Sequence, residues 1–103
     1  KHIERTSVLL HIIDISADEQ ADAWENYNTI NNELACYDTA LMERPQIVTL
    51  NKIDLPFVRQ KAKKEVARFK KKGIILYPFS AATGEGVNKI INKMANIIGK
   101  KKK

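Results

Sequence analysis

Three short apolar runs mark out the chain, and each is bounded by polar or turn-forming residues. They are "SVLLHIIDI" (7–15), "QIVTL" (46–50) after Pro45, and "GIILYPF" (73–79), opened by Gly73. Short, nearly continuous runs of this kind suit strands covered on both faces, as in a parallel sheet. Between them the period changes. Trp24, Tyr27, Ile30, Leu34 and Tyr37 are spaced three and four apart, as are Val58, Ala62, Val66 and Phe69. A third stripe holds Val87, Ile90, Ile91, Met94, Ile97 and Ile98. Each predicts an amphipathic helix. Asp22 and Glu25 stand at capping-box spacing, with Asp in place of the usual Ser or Thr. Pro56 suits a first helical turn, while Gly73 and Gly99 are expected to stop the second and third helices. Residues 1–5, "KHIER", read as the tail of an earlier helix.

The predicted order is (helix end)-β-α-β-α-β-α, an α/β architecture. Such alternation implies a parallel sheet with right-handed crossovers. There is no further internal repeat and no linker-like stretch. Open α/β sheets bind ligands at the carboxyl ends of their strands. Three loops are expected on that edge: "DISAD" (14–18), "NKIDLP" (51–56) and "SAATGEG" (80–86). Neighbouring strands are about 4.8 Å apart, so loops from adjacent strands reach one small ligand.

Composition narrows the class. A chain of 103 residues holds one compact core, and its 44% hydrophobic and 29% charged content is that of a soluble globular protein. No apolar stretch reaches the roughly 18 residues of a membrane span, and no signal-peptide pattern opens the chain. The single cysteine, Cys36, excludes an internal disulfide and fits a reducing compartment. The expectation is a cytoplasmic protein or a piece of one. Residues 1–45 carry three Lys/Arg against nine Asp/Glu, a balance of −6, whereas residues 46–103 carry fifteen against three, a balance of +12. "RQKAKKEVARFKKK" (59–72) and the terminal "KKKK" (100–103) make most of the basic half. A basic half attracts RNA or another polyanion; it is equally what a solvated helix face and a frayed tail look like.

The polar cluster after the second run has two readings. A carboxylate has only acceptors, so Asp54 can grip a planar ligand with two parallel donors. Guanine has such a pair, N1–H and the 2-amino group, whereas adenine has an acceptor at N1. A bidentate base contact of this kind discriminates by roughly 1–3 kcal/mol. Asn51 can meet the N7 side of a guanine or brace neighbouring loops, and Lys52 has an apolar stem that can lie along base or ribose. Equally, an Asp just before a Pro-started helix is a common cap. "FSAATGEG" follows the next strand, and its small Ser80 and Ala81 leave backbone N–H groups accessible to a base oxygen. A plain strand-to-helix connection also uses Gly and Thr. Two such signals, one helix apart and both at strand ends, are more specific than either alone.

"NKID", followed after one helix and strand by "SA", resembles the fourth and fifth guanine-specificity motifs of P-loop GTPases. The phrases "HIERTSVLLHIIDIS", "NTINNEL" and "ERPQIVTLNKIDL" resemble the Obg (CgtA) family of bacterial GTPases. The likeness covers nearly the whole chain, apart from the lysine tail and the variable basic helix. It implies that Asp54 fixes the guanine, Asn51 supports it, Lys52 packs against the nucleotide, and Ile53 belongs to the same base-reading loop. It also implies that Ser80, Ala81 and Ala82 form the second base-reading loop and that Asp14 is structural.

The G-x-x-x-x-G-K-[ST] and D-x-x-G motifs, which hold phosphates and Mg²⁺ in P-loop enzymes, do not occur. In Obg proteins, "FLRHIERT"-like sequence follows the D-x-x-G segment, and this chain begins "KHIERT". The resemblance therefore implies a three-layer half of a P-loop GTPase domain: residues 1–99 as its C-terminal half, then a basic tail, 100–103. GTP or GDP would be the ligand, and the Mg²⁺ ligands would lie upstream of Lys1, with the N-terminal half of the same domain. The family implies a GTP-hydrolysing parent acting in large ribosomal subunit assembly, so the subunit or its rRNA is an expected partner. This half alone is expected to be inactive. The alternative is a basic RNA- or ribosome-binding α/β module with no nucleotide binding of its own.

Overall fold

The computed structural model describes residues 8–18 and 20–102. Three parallel strands, β1 (Leu9–Ile13), β2 (Gln46–Leu50) and β3 (Leu76–Pro78), form one sheet in the order β1-β2-β3. Each is followed by a helix: α1 (Ala23–Tyr37), α2 (Pro56–Lys71) and α3 (Val87–Lys102). A 3-10 turn, Thr39–Glu43, joins α1 to β2. This is the predicted α/β alternation, consistent with part of a P-loop GTPase domain.

The register matters most for the site. Ile13 pairs with Leu50 and Leu50 with Pro78, so all three strands end level. The segments beginning at Asp14, Asn51 and Phe79 therefore leave the sheet side by side.

Both faces of β2 are covered, which explains why "QIVTL" reads as an unbroken apolar run. Val48 and Leu50 pack with Ile13, Ile15, Val58, Ala62 and Phe69 beneath α1 and α2. Phe69 is fully buried, and Trp24 and Tyr27 meet it edge-on at 5.2 and 5.7 Å. On the opposite face Ile47 and Phe79 pack with Ile90, Val87, Met94 and Ile97 of α3.

Local signals set the helix ends. The Asp22 side chain accepts from the N–H groups of Trp24 (2.9 Å) and Glu25 (3.3 Å), two donors with no partner inside α1. The same carboxylate meets Arg68 at 3.1 Å, tying α1 to α2. Burial pushes the Asp22 carboxyl up, but Arg68 and the two capping N–H groups outweigh it and hold it below its ordinary value. At the end of α2, Ile74 N–H donates to Phe69 O (2.9 Å) and Gly73 N–H to Lys70 O (3.0 Å). This pair of bonds is a Schellman closure, and Gly73 supplies its left-handed residue at φ +84°.

Several expectations are corrected. The first strand spans Leu9–Ile13 within the expected 7–15; Ser7 lies outside the described residues, as does "KHIER". Ile15 is still buried, because the apolar run continues past the strand into the core. The third strand is three residues, not seven. Gly73 and Ile74 are used to close α2, and Ile75 is 62% exposed. Tyr37 fits the α1 stripe by spacing but is 85% exposed, since it stands in the last turn beyond the sheet contact. Gly99 does not stop α3. A glycine inside a helix weakens it without removing a hydrogen bond, and Gly99 lacks the positive φ of a terminating glycine. Of the expected 100–103 tail, Lys100–Lys102 fall within the helix, and Lys103 lies outside the described residues.

Candidate functional site

The loop after β2 is built by competing backbone demands. Asn51 N–H donates to Ile13 O (3.0 Å), extending the β1–β2 ladder. Ile53 N–H donates to Phe79 O (3.2 Å), on the β3 side, and the Ile53 side chain is buried. The chain must reverse direction between these residues, and Lys52 absorbs the reversal at φ +69°. A left-handed lysine is uncommon and costs roughly 1–2 kcal/mol. Backbone strain of this kind clusters at functional sites.

The strained turn is pinned by side chains from the first two strand ends and a backbone N–H from the third. Lys52 Nζ reaches Asp14 Oδ2 at 2.9 Å and donates to Ser16 Oγ at 3.2 Å. Hydrogen bonding from Ser16, whose N–H donates to Asp14 Oδ1 at 2.8 Å, holds the Asp14 carboxyl below its ordinary value, with help from Lys52 and against slight burial. Asn51 Oδ1 accepts from Lys52 N–H (2.7 Å) and from Ala81 N–H (3.2 Å). The bracing option for Asn51 is thus what its carbonyl does, while its amide N–H groups have no acceptor among the described residues.

Asp54 and Ser80 join the second and third loops. Ser80 Oγ donates to Asp54 Oδ1 at 2.8 Å and accepts from Thr83 N–H at 3.2 Å. Ser80 is fully buried, so its position is set by packing. Its backbone is held as well: Ser80 N–H donates to Glu85 O (2.9 Å) and Gly84 N–H to Ser80 O (2.8 Å). The loop then passes so close to β3 that a side chain on Gly86, at φ +80°, would collide with the Pro78 carbonyl oxygen. Asp54 does not cap α2: the cap position is Leu55, which makes no side-chain bond, and the Asp54 carboxylate turns to Ser80 instead.

Asn51, Lys52, Asp54, Leu55, Ala81 and Ala82 line an open cleft of about 420 Å³. Five of the seven residues expected at the base site therefore share one wall. Ser80 stands behind them as a buried support, and Ile53 lies in the core instead. Ala81 N–H is occupied by Asn51, which leaves Ala82 N–H without an acceptor among the described residues. Leu55 was not anticipated, nor was the Asp14–Lys52 link. The strand-end position of Asp14 was its only sequence signal.

Outside the cleft, the Arg59 guanidinium makes a two-pronged pair with the Glu85 carboxylate. That hydrogen bond is what draws the Glu85 carboxyl below its ordinary value. Among the described residues, no three His, Cys, Asp or Glu side chains converge as a metal site. Asp14 is committed to Lys52, so these residues do not by themselves fit a Mg²⁺ ion.

A parallel α/β sheet whose level strand ends carry N-K-x-D and S-A loops places the chain in the P-loop GTPase class of folds. Comparison with known proteins agrees. The chain is 52% identical over 98 residues to the GTPase Obg of Syntrophus aciditrophicus strain SB, a match covering 95% of the chain and 29% of that protein. It is 42% identical to the GTPase Obg of Caldanaerobacter subterraneus subsp. tengcongensis, covering 95% of the chain and 23% of the relative. It is 44% identical to the GTPase Obg of Elusimicrobium minutum strain Pei191, covering 95% and 21%. Over the matched residues, the chain belongs to the Obg family. It spans less than a third of the length of these curated relatives. No protein-family profile matches it.

Proposed function

We propose that the cleft reads a guanine base, and that residues 1–99 are the guanine-recognition half of an Obg-type GTPase domain. The observation that carries this reading is the Ser80–Asp54 bond at 2.8 Å. A buried hydroxyl fixes one carboxylate oxygen, and the carboxylate stands at the mouth of a cleft with the Asn51 amide beside it. A fixed carboxylate suits the two parallel donors of guanine, N1–H and the 2-amino group. Asn51 donates toward N7, Lys52 lays its stem along the base or ribose, and the Ala81–Ala82 backbone lies on the O6 side. The strain at Lys52 is consistent with a preorganised site.

The wider activity is inferred from the relatives, each of them a GTPase Obg. The parent protein binds GTP or GDP and hydrolyses GTP. Mg²⁺, when bound there, would supply charge neutralisation at the phosphates, held by residues other than those of this cleft. The N-terminal half of the same domain is then the chain's first partner, and the compartment is cytoplasmic. Action in large ribosomal subunit assembly, with the subunit or its rRNA as partner, rests on the Obg resemblance. The chain on its own is expected to hydrolyse no GTP, because the loop and lysine that cradle the phosphates are not in its sequence.

The test exchanges these residues into the Syntrophus GTPase Obg and introduces Asp54→Asn. Guanine-nucleotide affinity should fall by about tenfold or more, and xanthine nucleotides, whose 2-oxo group takes a donor, should gain. Unchanged GDP affinity in that variant would remove the assignment.

A further inference from the structure

A second and larger concavity, about 580 Å³, lies between α2 and α3 along the edge of β3, which is an outer strand among the described residues. Its volume is in the range of sites that take a sizeable ligand. Its floor is apolar: Ile53, Ala62, Val66, Tyr77 and Pro78. Its rim is cationic, with Arg59 and Lys63 on the α2 wall and Lys89 on the α3 wall. The one acid of the lining, Glu85, is held by Arg59, so it cancels Arg59 alone. Lys63 and Lys89 are exposed and have no acidic partner among the described residues. An apolar strip flanked by two uncompensated cations on opposite walls is thus left open to solvent.

The occupant follows from the chemistry of floor and rim. An added β-strand fits poorly, because Pro78 has no N–H to offer along this edge and β3 is only three residues long. RNA fits poorly as well. Tyr77 is half-buried and packed with the α3 cluster, so it is no free stacking platform. The remaining floor is aliphatic, while RNA binding needs phosphate contacts first. Aliphatic side chains on one helical stripe, bordered by carboxylates, satisfy both floor and rim. We propose that this groove is a docking site for an acidic amphipathic helix of a partner protein, its apolar stripe over Val66 and Tyr77 and its carboxylates at Lys63 and Lys89. The proposal is independent of the guanine reading.

Fluorescence anisotropy of the chain with a labelled synthetic helical peptide tests it. The peptide carries leucines on one face and glutamates on both flanks. Binding is expected, falling with added salt and roughly tenfold weaker when Lys63→Glu and Lys89→Glu are combined. Lys70→Glu with Lys71→Glu, at the far end of α2 and outside the groove, should leave it unchanged. Circular dichroism of each variant confirms folding, which exposed lysines should not disturb. Three results would each overturn the proposal: no binding of the peptide, equal affinity for the chain and the groove variant, or tighter binding of a labelled oligouridine lost in that same variant.

Discussion

His11 is the most exposed to consequence of the single residues, because it is buried on the α1–α2 side of the sheet with an unsatisfied nitrogen. It is 5% exposed and stacks on Tyr27 with ring centroids 5.1 Å apart. Nδ1 lies 3.4 Å from Gln46 Oε1, and Nε2 has no partner among the described residues. Burial lowers its pKa from the ordinary 6.5, against a smaller raising effect of Gln46. The folded protein therefore holds the neutral ring where the unfolded chain would already take a proton. The sign follows: stability is fully present above about pH 6.5 and is lost as pH falls through the lowered folded value. Asp14, Asp22 and Glu85 have lowered values too, but their contributions are lost only near and below the ordinary carboxylate range. Thermal melts between about pH 7 and 5 should show a falling Tm, and His11→Phe should flatten that slope. An unchanged slope in the variant would show that another group dominates.

At the scale of elements, glycines separate two kinds of helix end. Gly73 has nothing within 4 Å of an added Cβ, so Gly73→Ala meets only the cost of its left-handed conformation. Urea unfolding should show a loss of about 1 kcal/mol. Gly99 also has open space around it but sits inside α3 at helical φ, so Gly99→Ala should stabilise by roughly 0.5–1 kcal/mol. Opposite signs from one substitution type follow from φ alone. This is also where the sequence was hardest to read. "QIVTL" was legible to the residue, because Pro45 and the Asn51–Lys52 pair leave its unbroken apolar run only one place to end. Gly73 was legible as a stop, but "GII" beyond it carries the same pattern as a strand, and only the backbone bonds to Phe69 and Lys70 assign it to the helix closure. Along the candidate cleft, the gathering of Asn51, Lys52, Asp54 and Ala81 was legible from residue type and order, and that of Ala82 from the family resemblance. The ties through Asp14, Ser16 and Glu85 were not, because they join segments whose separation in sequence says nothing of the level strand ends that bring them together.

For the whole molecule, the decisive asymmetry is in the cover of the sheet. α3 packs over Ile47 and Phe79, yet Leu10 and Ile12 on the same sheet are 43% and 48% exposed. Leu10 pairs with Ile47 and Ile12 with Thr49, so both project from β1 onto the α3 face, beyond the reach of that helix. β1 is also the edge of the sheet among the described residues, with its outer backbone groups unpaired. Apolar side chains and an open strand edge in one place favour association with another strand. The 103-residue chain should therefore self-associate in sedimentation velocity, increasingly with concentration. Because apolar contact and backbone pairing drive it, added salt should not reverse it, unlike the docking of an acidic helix in the α2–α3 groove. Leu10→Thr combined with Ile12→Thr places β-branched residues suited to a strand at both positions while removing apolar area, and it should shift the population toward monomer. A sharp monomer for the unsubstituted 103-residue chain, with slow amide exchange along residues 9–13, would mean that the edge is already covered and that this face needs no partner.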